Sequence, residues 1–271
     1  YQDLKRNPRS LGYQSRILIN KIKKMKKMKK ILIALLVITT LSATAQESVL
    51  LRLNYTKGDS FLVTTESNQS MGSQGGMNMK MTMGMIVADV VEESIKTESQ
   101  ITSIVIDMMQ GGMTMSYDSN SDEELDQMGQ MLKSQFAPMM EAITYATIDH
   151  QGNLIDTKQD PVVPGMEQMT NRAMNIINYP KEKVSVGSSW TSENENQGMK
   201  MTTKYTVSSI ADGLVTLDVS GDMSGAGTGT IKGKSTVEIS TGISKNSETE
   251  ITIATQGMNI TGSTKITVSK M

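Results

Sequence analysis

The sequence predicts a mainly β fold: a curved antiparallel sheet, or half-barrel, with two helices over its concave face. Apolar residues alternate with Thr, Ser and other polar residues along most of the chain, which is the period-two pattern of half-buried strands. Clusters of Gly, Asn, Asp and Ser separate these runs at short intervals, as in antiparallel hairpins. Two segments near the middle of the chain show helical spacing instead.

The alternating runs set the expected strands. Turn residues such as Lys57-Gly58-Asp59 lie between them, because Gly, Asn and Asp accept the backbone conformations that tight turns need. The predicted strands cover residues 49–55, 61–63, 77–85, 101–108, 205–210, 214–219, 236–239, 249–254 and 264–268, with a hairpin at 145–148 and 154–157.

The helical segments lie between residues 121 and 180. Ser121 with Glu124 forms a capping-box pattern, and an apolar stripe follows it. Pro138 is expected to kink this helix or to end it near Ala137. A second helix is expected to start around Pro164, a good first-turn residue, and to run to residue 177.

A targeting segment precedes the predicted domain. The apolar run 31–41 follows a lysine cluster, and Ala43-Thr44-Ala45 fits a signal-peptidase site. This run of 11 residues is too short to cross a bilayer, which takes about 20. We interpret residues 1–24 as upstream read-through, 25–45 as a signal peptide and 46–271 as a single exported domain, periplasmic or secreted.

Charge and cysteine content limit the function classes. Residues 1–45 carry 11 of the 27 Lys and Arg but 1 of the 28 Asp and Glu, which leaves a net charge of −11 on residues 46–271. An acidic chain disfavours nucleic-acid binding. The absence of Cys excludes disulfides, thiolate metal sites and a lipid anchor on a leader cysteine. No membrane span is expected after cleavage, and the composition leaves the oligomeric state undetermined.

Short identities hint at an internal repeat. Met79-Lys80-Met81-Thr82 recurs as Met199-Lys200-Met201-Thr202, and the turn before Phe61 resembles the turn before Trp190. An internal duplication of about 49–118 and 182–269 explains this pattern. Turn chemistry common to all hairpins explains it as well.

The residues for enzyme chemistry are scarce. His150 is the single histidine, and Asp149 is too close in sequence to orient it easily in a Ser-His-Asp triad. The glycine-rich stretch 225–229 lacks the Lys-Ser/Thr of a phosphate-binding loop. We expect a non-catalytic protein without a cofactor, although the sequence leaves carboxylate-only glycosidase chemistry open.

Methionine is the unusual residue, with 24 Met against 2 Phe and 1 Trp. Unbranched, flexible Met side chains either fill an ordinary core or line an adaptable apolar cavity. The leading hypothesis is a concave cavity that binds a lipid or another apolar small molecule. Its expected lining residues are Met79, Met81, Met83, Met85, Met128, Leu132, Phe136 and Met139.

Two alternative functions remain at this point. Thioethers suit Cu(I) and Ag(I), and Met-x-Met spacing places two sulfurs on one strand face. Met113-Thr114-Met115 and Met199-Lys200-Met201 have this spacing, and Met108-Met109 is a further candidate. The absence of nearby His or Cys disfavours that metal hypothesis, and no metal ligand is assigned. A structural role in the cell envelope is the third hypothesis.

Short motifs resemble a family of uncharacterised exported bacterial proteins. They are Tyr55-x-Lys57-Gly58-Asp59-x-Phe61, Ile148-Asp149-x-x-Gly152-x-Leu154 and Val186-Gly187-x-x-Trp190-Thr191, after a leader ending in Thr-Ala-Gln. The resemblance implies an architecture similar to the half-barrel of outer-membrane lipoprotein carriers, with helices over the concave side. It implies no assigned activity.

Overall fold

The computed structural model describes residues 47–164, 166, 176–196, 198–255 and 258–271. The predicted read-through and signal peptide lie outside the described residues. So does most of the second predicted helix, of which residues 165 and 167–175 are not described.

The described chain is mainly β. It forms strands β1 (Ser48–Val49), β2 (Ser60–Ser70), β3 (Gly75–Val91), β4 (Ser94–Gln110), β5 (Met113–Asp118), β6 (Ile143–Ile148), β7 (Leu154–Asp160), β8 (Val184–Ser185), β9 (Ser189–Asn196), β10 (Met199–Ala211), β11 (Leu214–Gly225), β12 (Thr228–Glu238), β13 (Ser244–Thr255) and β14 (Met258–Lys270), with helix α1 (Gln127–Glu141) between β5 and β6. Short turns join most of the paired strands, whereas helix α1 and longer segments separate the others.

One large antiparallel sheet contains 12 of these strands, in the order β7-β6-β4-β3-β2-β14-β13-β12-β11-β10-β9, with β5 paired to β4. The β14–β2 pairing joins the last strand of the chain to the first long one. The sheet is not closed into a barrel, because β7 and β9 end it without pairing to each other. The predicted antiparallel, mainly β class is therefore confirmed.

Alternation along the strands separates two faces of the sheet. Phe61 and Val63 on β2, Met83 on β3 and Leu217 on β11 are each at most 2% exposed and belong to one hydrophobic core cluster. We call the face that carries them the inner face. The intervening residues, such as Ile86 at 50% exposure, lie on the outer face. Side chains one residue apart point to opposite faces, as the period-two pattern requires.

The segment before β2 shows that the sheet is curved. Leu53 and Asn54 donate their amides to the carbonyl oxygens of His150 (2.8 Å) and Thr241 (2.9 Å). These acceptors lie in the β6–β7 and β12–β13 turns. In a flat sheet β6 and β13 would be roughly 24 Å apart, at about 4.8 Å per strand. Since two consecutive residues reach both turns, the sheet must curl strongly at this end.

The predicted strand over 49–55 is wrong beyond residue 49. Val49 pairs with Val184 in the small β1–β8 sheet, but Leu51 and Leu53 are buried without joining a ladder. Leu51 and Leu53 alternate with polar residues as in a strand. The amides of Leu53 and Asn54, however, bond to two separate turns. Arg52 anchors the crossing by donating to the carbonyl oxygens of Pro180 (2.7 Å) and Lys181 (2.8 Å).

Helix α1 differs from the prediction at both ends. The expected capping box does not start it: the Ser121 hydroxyl accepts from the Glu123 amide in a turn, and Asp126 is the N-cap, accepting from the Gly129 amide at 2.7 Å. Asp is as good an N-cap as Ser, and its position five residues later decides the start. Pro138 does not end the helix, which continues to Glu141.

α1 is the one α-helix longer than a single turn among the described residues, so the prediction of two helices is confirmed for the first only. Phe136 anchors this helix to the sheet, since its ring stacks on Tyr117 of β5 with centroids 6.2 Å apart. Met139 belongs to the core cluster. The helix thus covers the inner face near β4 and β5, as the half-barrel prediction expects. The internal duplication stays a prediction.

Candidate functional site

The residues predicted to line a cavity lie in two places. Met81, Met83 and Met85 are 3%, 1% and 5% exposed and pack in the core cluster. Met79 is half-buried and in register with Ile106 of β4, which is in register with Tyr117.

The predicted helix residues gather at that second place. Phe136 stacks on Tyr117, and Leu132 and Met139 are buried at 4% and 8% exposure. Met128 is half-buried. The structure therefore brings Met79 toward the helix residues through Tyr117. Met81, Met83 and Met85 lie farther along β3, away from Tyr117, and contribute to the packed core.

A cavity of about 150 Å³ lies elsewhere on the inner face, over β10–β13. Its wall is apolar with several hydroxyls and, among the described residues, carries no charged group. The lining residues are Ile176, Ile177, Thr203, Tyr205, Val219, Ile231, Ser235, Ser247 and Thr249.

Gly233 lies on the strand between two residues that line the cavity. It lies in register between Val219 of β11 and Thr249 of β13, both of which line the cavity. A Cβ atom at Gly233 would overlap the carbonyl oxygen of Glu248, and it would lie 2.8 Å from the Thr249 Cα. The close approach of the strands thus requires glycine, so no side chain stands between Val219 and Thr249 in this row.

The polar groups around the cavity are uncharged hydroxyls. The Ser235 and Ser244 hydroxyl oxygens are 2.6 Å apart and hydrogen-bonded. Burial raises the pKa of the Tyr205 phenol, because desolvation disfavours the phenolate. The Tyr205 ring stacks on Trp190 with centroids 5.5 Å apart. The Trp190 Nε1–H donates to the Asn178 carbonyl oxygen at 2.8 Å. An uncharged, partly apolar wall of this kind suits an uncharged apolar group.

Sequence reasoning missed this cavity. Tyr205, Val219 and Thr249 stand in predicted strands, but their alternation does not indicate that the face they share is hollow. A glycine at position 233, inside an alternating strand, is the local signal that was available, since such glycines mark a bend or a close backbone approach.

A second and larger groove, of about 800 Å³, lies on the outer face and is lined mostly by polar and charged residues. A row of alternating charges crosses it in register, one residue per strand from β11 to β3: Asp218, Lys234, Glu248, Lys265, Glu66 and Lys80. Three neighbouring pairs in this row form ion pairs with N–O distances of 3.1 to 3.6 Å. The two partners of each pair neutralise one another at an exposed surface, so the groove presents no field of a single sign.

Hard-metal and membrane-spanning features are absent from the described ranges. Those residues contain no cluster of three or more His, Cys, Asp or Glu side chains able to hold a metal ion. Within the same part of the chain, no helix combines the length and the apolar character needed to cross a bilayer.

Comparison with known proteins gives a partial family match and a shared fold. Residues 165–270 match the model of a family of unknown function (DUF6263), which confirms the expected resemblance to an uncharacterised family over that segment. No curated protein matches.

The structure is similar to that of lipovitellin, solved in work on lipid–protein interactions in lipovitellin. The TM-score is 0.52 at 10% identity, covering 80% of this chain and 25% of the lipovitellin chain. The chain thus spans about a quarter of the length of the lipovitellin chain. At this identity the likeness shows a common fold.

Proposed function

We propose that the protein is a non-catalytic carrier that binds a lipid or another uncharged apolar group on the inner face of its sheet. The observation that carries the proposal is the uncharged cavity over β10–β13, beside the row in which Gly233 leaves no side chain between Val219 and Thr249. The fold in common with lipovitellin, whose solved structure concerns lipid–protein interactions, supports the same class of ligand. The ligand site moves from the Met strand to this cavity, because Met83 and its neighbours fill the space around them.

The size of the cavity limits the ligand. Pockets for whole drug-sized molecules have volumes of about 300–1,000 Å³, whereas this one has about 150 Å³. It therefore suits a small apolar molecule or the end of one acyl chain. Ile177, which is 4% exposed, also lines the cavity and belongs to no strand of the sheet.

The position of His150 supports a non-catalytic role. Its Nδ1 lies 2.8 Å from the Leu53 carbonyl oxygen, and its own carbonyl oxygen accepts from the Leu53 amide. The single imidazole of the chain thus holds the segment that crosses the curled end of the sheet.

Filling the cavity should abolish apolar binding. Thr249→Phe places a ring in the space beside Gly233, so we expect the affinity for a fluorescent fatty acid, cis-parinaric acid, to fall at least tenfold. The matched control is Thr252→Phe, three residues along β13, whose side chain is exposed on the outer face. It should bind as the wild type does. Fluorescence titration measures both, with circular dichroism to check folding.

Saturable binding by the wild type and the Thr252 variant, lost in the Thr249 variant, would support the cavity as the site. Equal affinities in the two variants would contradict the assignment. Native mass spectrometry of protein exported with its own leader would add the identity of any bound molecule: a lipid-sized adduct is expected, and a bare mass would weigh against a carrier.

We also propose that residues 46–271 act in the periplasm or outside the cell, on the strength of the leader pattern. N-terminal sequencing of the exported protein should give Gln46-Glu47-Ser48. An uncleaved leader on the exported protein would contradict this localisation.

A further inference from the structure

Three methionines lie side by side on the inner face, near the tips of β3, β4 and β5. Met77 is in register with Met108, and Met108 is in register with Met115. All three are half-buried. Met115 belongs to the Met113-Thr114-Met115 motif, whereas Met77 and Met108 lie on other strands, so that motif alone does not reveal the row. We call Met77, Met108 and Met115 the methionine row.

The spacing of the row brings three thioether groups within reach of one point. Directly opposed residues on neighbouring strands have Cβ atoms about 4.5–5.5 Å apart. Met has three rotatable bonds beyond Cα and a polarizable sulfur, so neighbouring sulfurs can converge without moving the backbone. Met113, two residues before Met115 on the same face of β5, is 66% exposed and adds a fourth thioether at the open end.

The surroundings of the row differ above and below. Below it lies the next inner-face row, Met79, Ile106 and Tyr117. Ile106 is 1% exposed, Tyr117 is 5% exposed, and Tyr117 stacks on Phe136. This floor is apolar and closed. Above it the tips of the hairpins are accessible, as Met113 shows, so an ion could enter from solvent and rest on an apolar base.

We propose that the methionine row is a binding site for a soft monovalent cation, Cu(I) or Ag(I). Thioether sulfur selects soft d¹⁰ ions over the hard divalent cations, which prefer oxygen ligands. The part of the chain that the structure describes has no cluster of His and carboxylate groups that would favour a hard ion. The row also differs from Met81, Met83 and Met85, which are sealed in the core.

The site is independent of the apolar-ligand cavity. The methionine row lies on β3, β4 and β5, whereas the cavity over β10–β13 is lined by other strands. Failure of one proposal therefore leaves the other standing, and the two are tested by different probes.

The test is Ag(I) titration of the exported protein carrying ¹³C-methyl methionine, followed by methyl NMR. Ag(I) stands in for Cu(I) because it is stable in air. We expect the methyl resonances of Met77, Met108 and Met115 to shift together and to saturate at one equivalent. The resonances of Met109, on the outer face, and Met271 should not move. Each signal is assigned by its loss in a single Met→Leu variant.

The decisive variant carries Met77→Leu, Met108→Leu and Met115→Leu, which conserves side-chain volume and removes the sulfurs. It should lose that equivalent of Ag(I) and still bind cis-parinaric acid. The control carries Met109→Leu and Met271→Leu, two methionines that are 55% and 64% exposed, and should bind Ag(I) as the wild type does. Unchanged uptake by the triple variant, or wild-type titration without shifts in the row, would overturn the site.

Discussion

Replacing Met83 with alanine should lower the free energy of unfolding by about 2–5 kcal/mol, the range for truncating a buried Met. Met83 is 1% exposed and lies in register between Val63 of β2 and Ile101 of β4, which are both 2% exposed. Truncation leaves a void that these neighbours cannot close without moving the sheet. Urea unfolding, followed by the fluorescence of the single tryptophan, Trp190, measures the loss.

Two controls separate core packing from other effects. Met83→Leu conserves volume and should cost less than about 1.5 kcal/mol. Ile86→Ala, three residues along the same strand but 50% exposed on the outer face, should change stability by no more than about 0.5 kcal/mol. If Met83→Ala lowered the free energy of unfolding as little as Ile86→Ala, this part of the inner face would be hollow. The Met-lined cavity predicted from the sequence would then be the better candidate for the ligand site.

Replacing Gly242 with alanine should be similarly damaging, because two penalties add. Gly242 has a φ of +70°, and an L-residue in the left-handed region costs about 1–2 kcal/mol. Its Cβ would also overlap the carbonyl oxygen of Arg52, and overpacking of this kind costs about 1–3 kcal/mol. We expect a total loss of about 2–5 kcal/mol in the same urea experiment.

Gly213→Ala is the matched control for the backbone term. Gly213 has a φ of +74° in the β10–β11 turn, and a Cβ there would meet nothing within 4 Å. The Gly213→Ala variant should lose only the stability that the left-handed backbone costs an L-residue, about 1–2 kcal/mol. The difference between the two variants measures how tightly the crossing segment closes the curled end of the sheet. Equal losses would mean that the Arg52 contact adds nothing.

Much of the fold follows from the sequence, because alternation is a local property. The runs 77–85, 101–108, 214–219 and 264–268 all lie within observed strands, and the 145–157 hairpin forms as β6 and β7. The apolar stripe of α1 likewise predicted the helix itself. Its exact start was missed, since Ser121 and Asp126 are both competent caps and the choice between them depends on how the chain leaves β5.

The candidate sites were much less predictable, because each depends on which strands are neighbours. Alternation assigns Met79 and Met83 to one face but does not indicate what opposes them. Phe61, Val63 and Ile101 fill the space beside Met83, and Tyr117 brings Phe136 close to Met79. The charge row on the outer face has the same origin: Glu66 and Lys80 became a pair only through the β2–β3 register.

The sequence by itself determined the strand-rich class, the two faces of each strand, the first helix and the absence of cysteine chemistry. Only the tertiary structure decided where the inner face is packed and where it is hollow. It did so through strand order and curvature, which bring Gly233 between Val219 and Thr249 and align Met77 with Met108 and Met115. These alignments depend on the register of each hairpin and on what packs over the sheet, whereas period-two patterning is the same in every register.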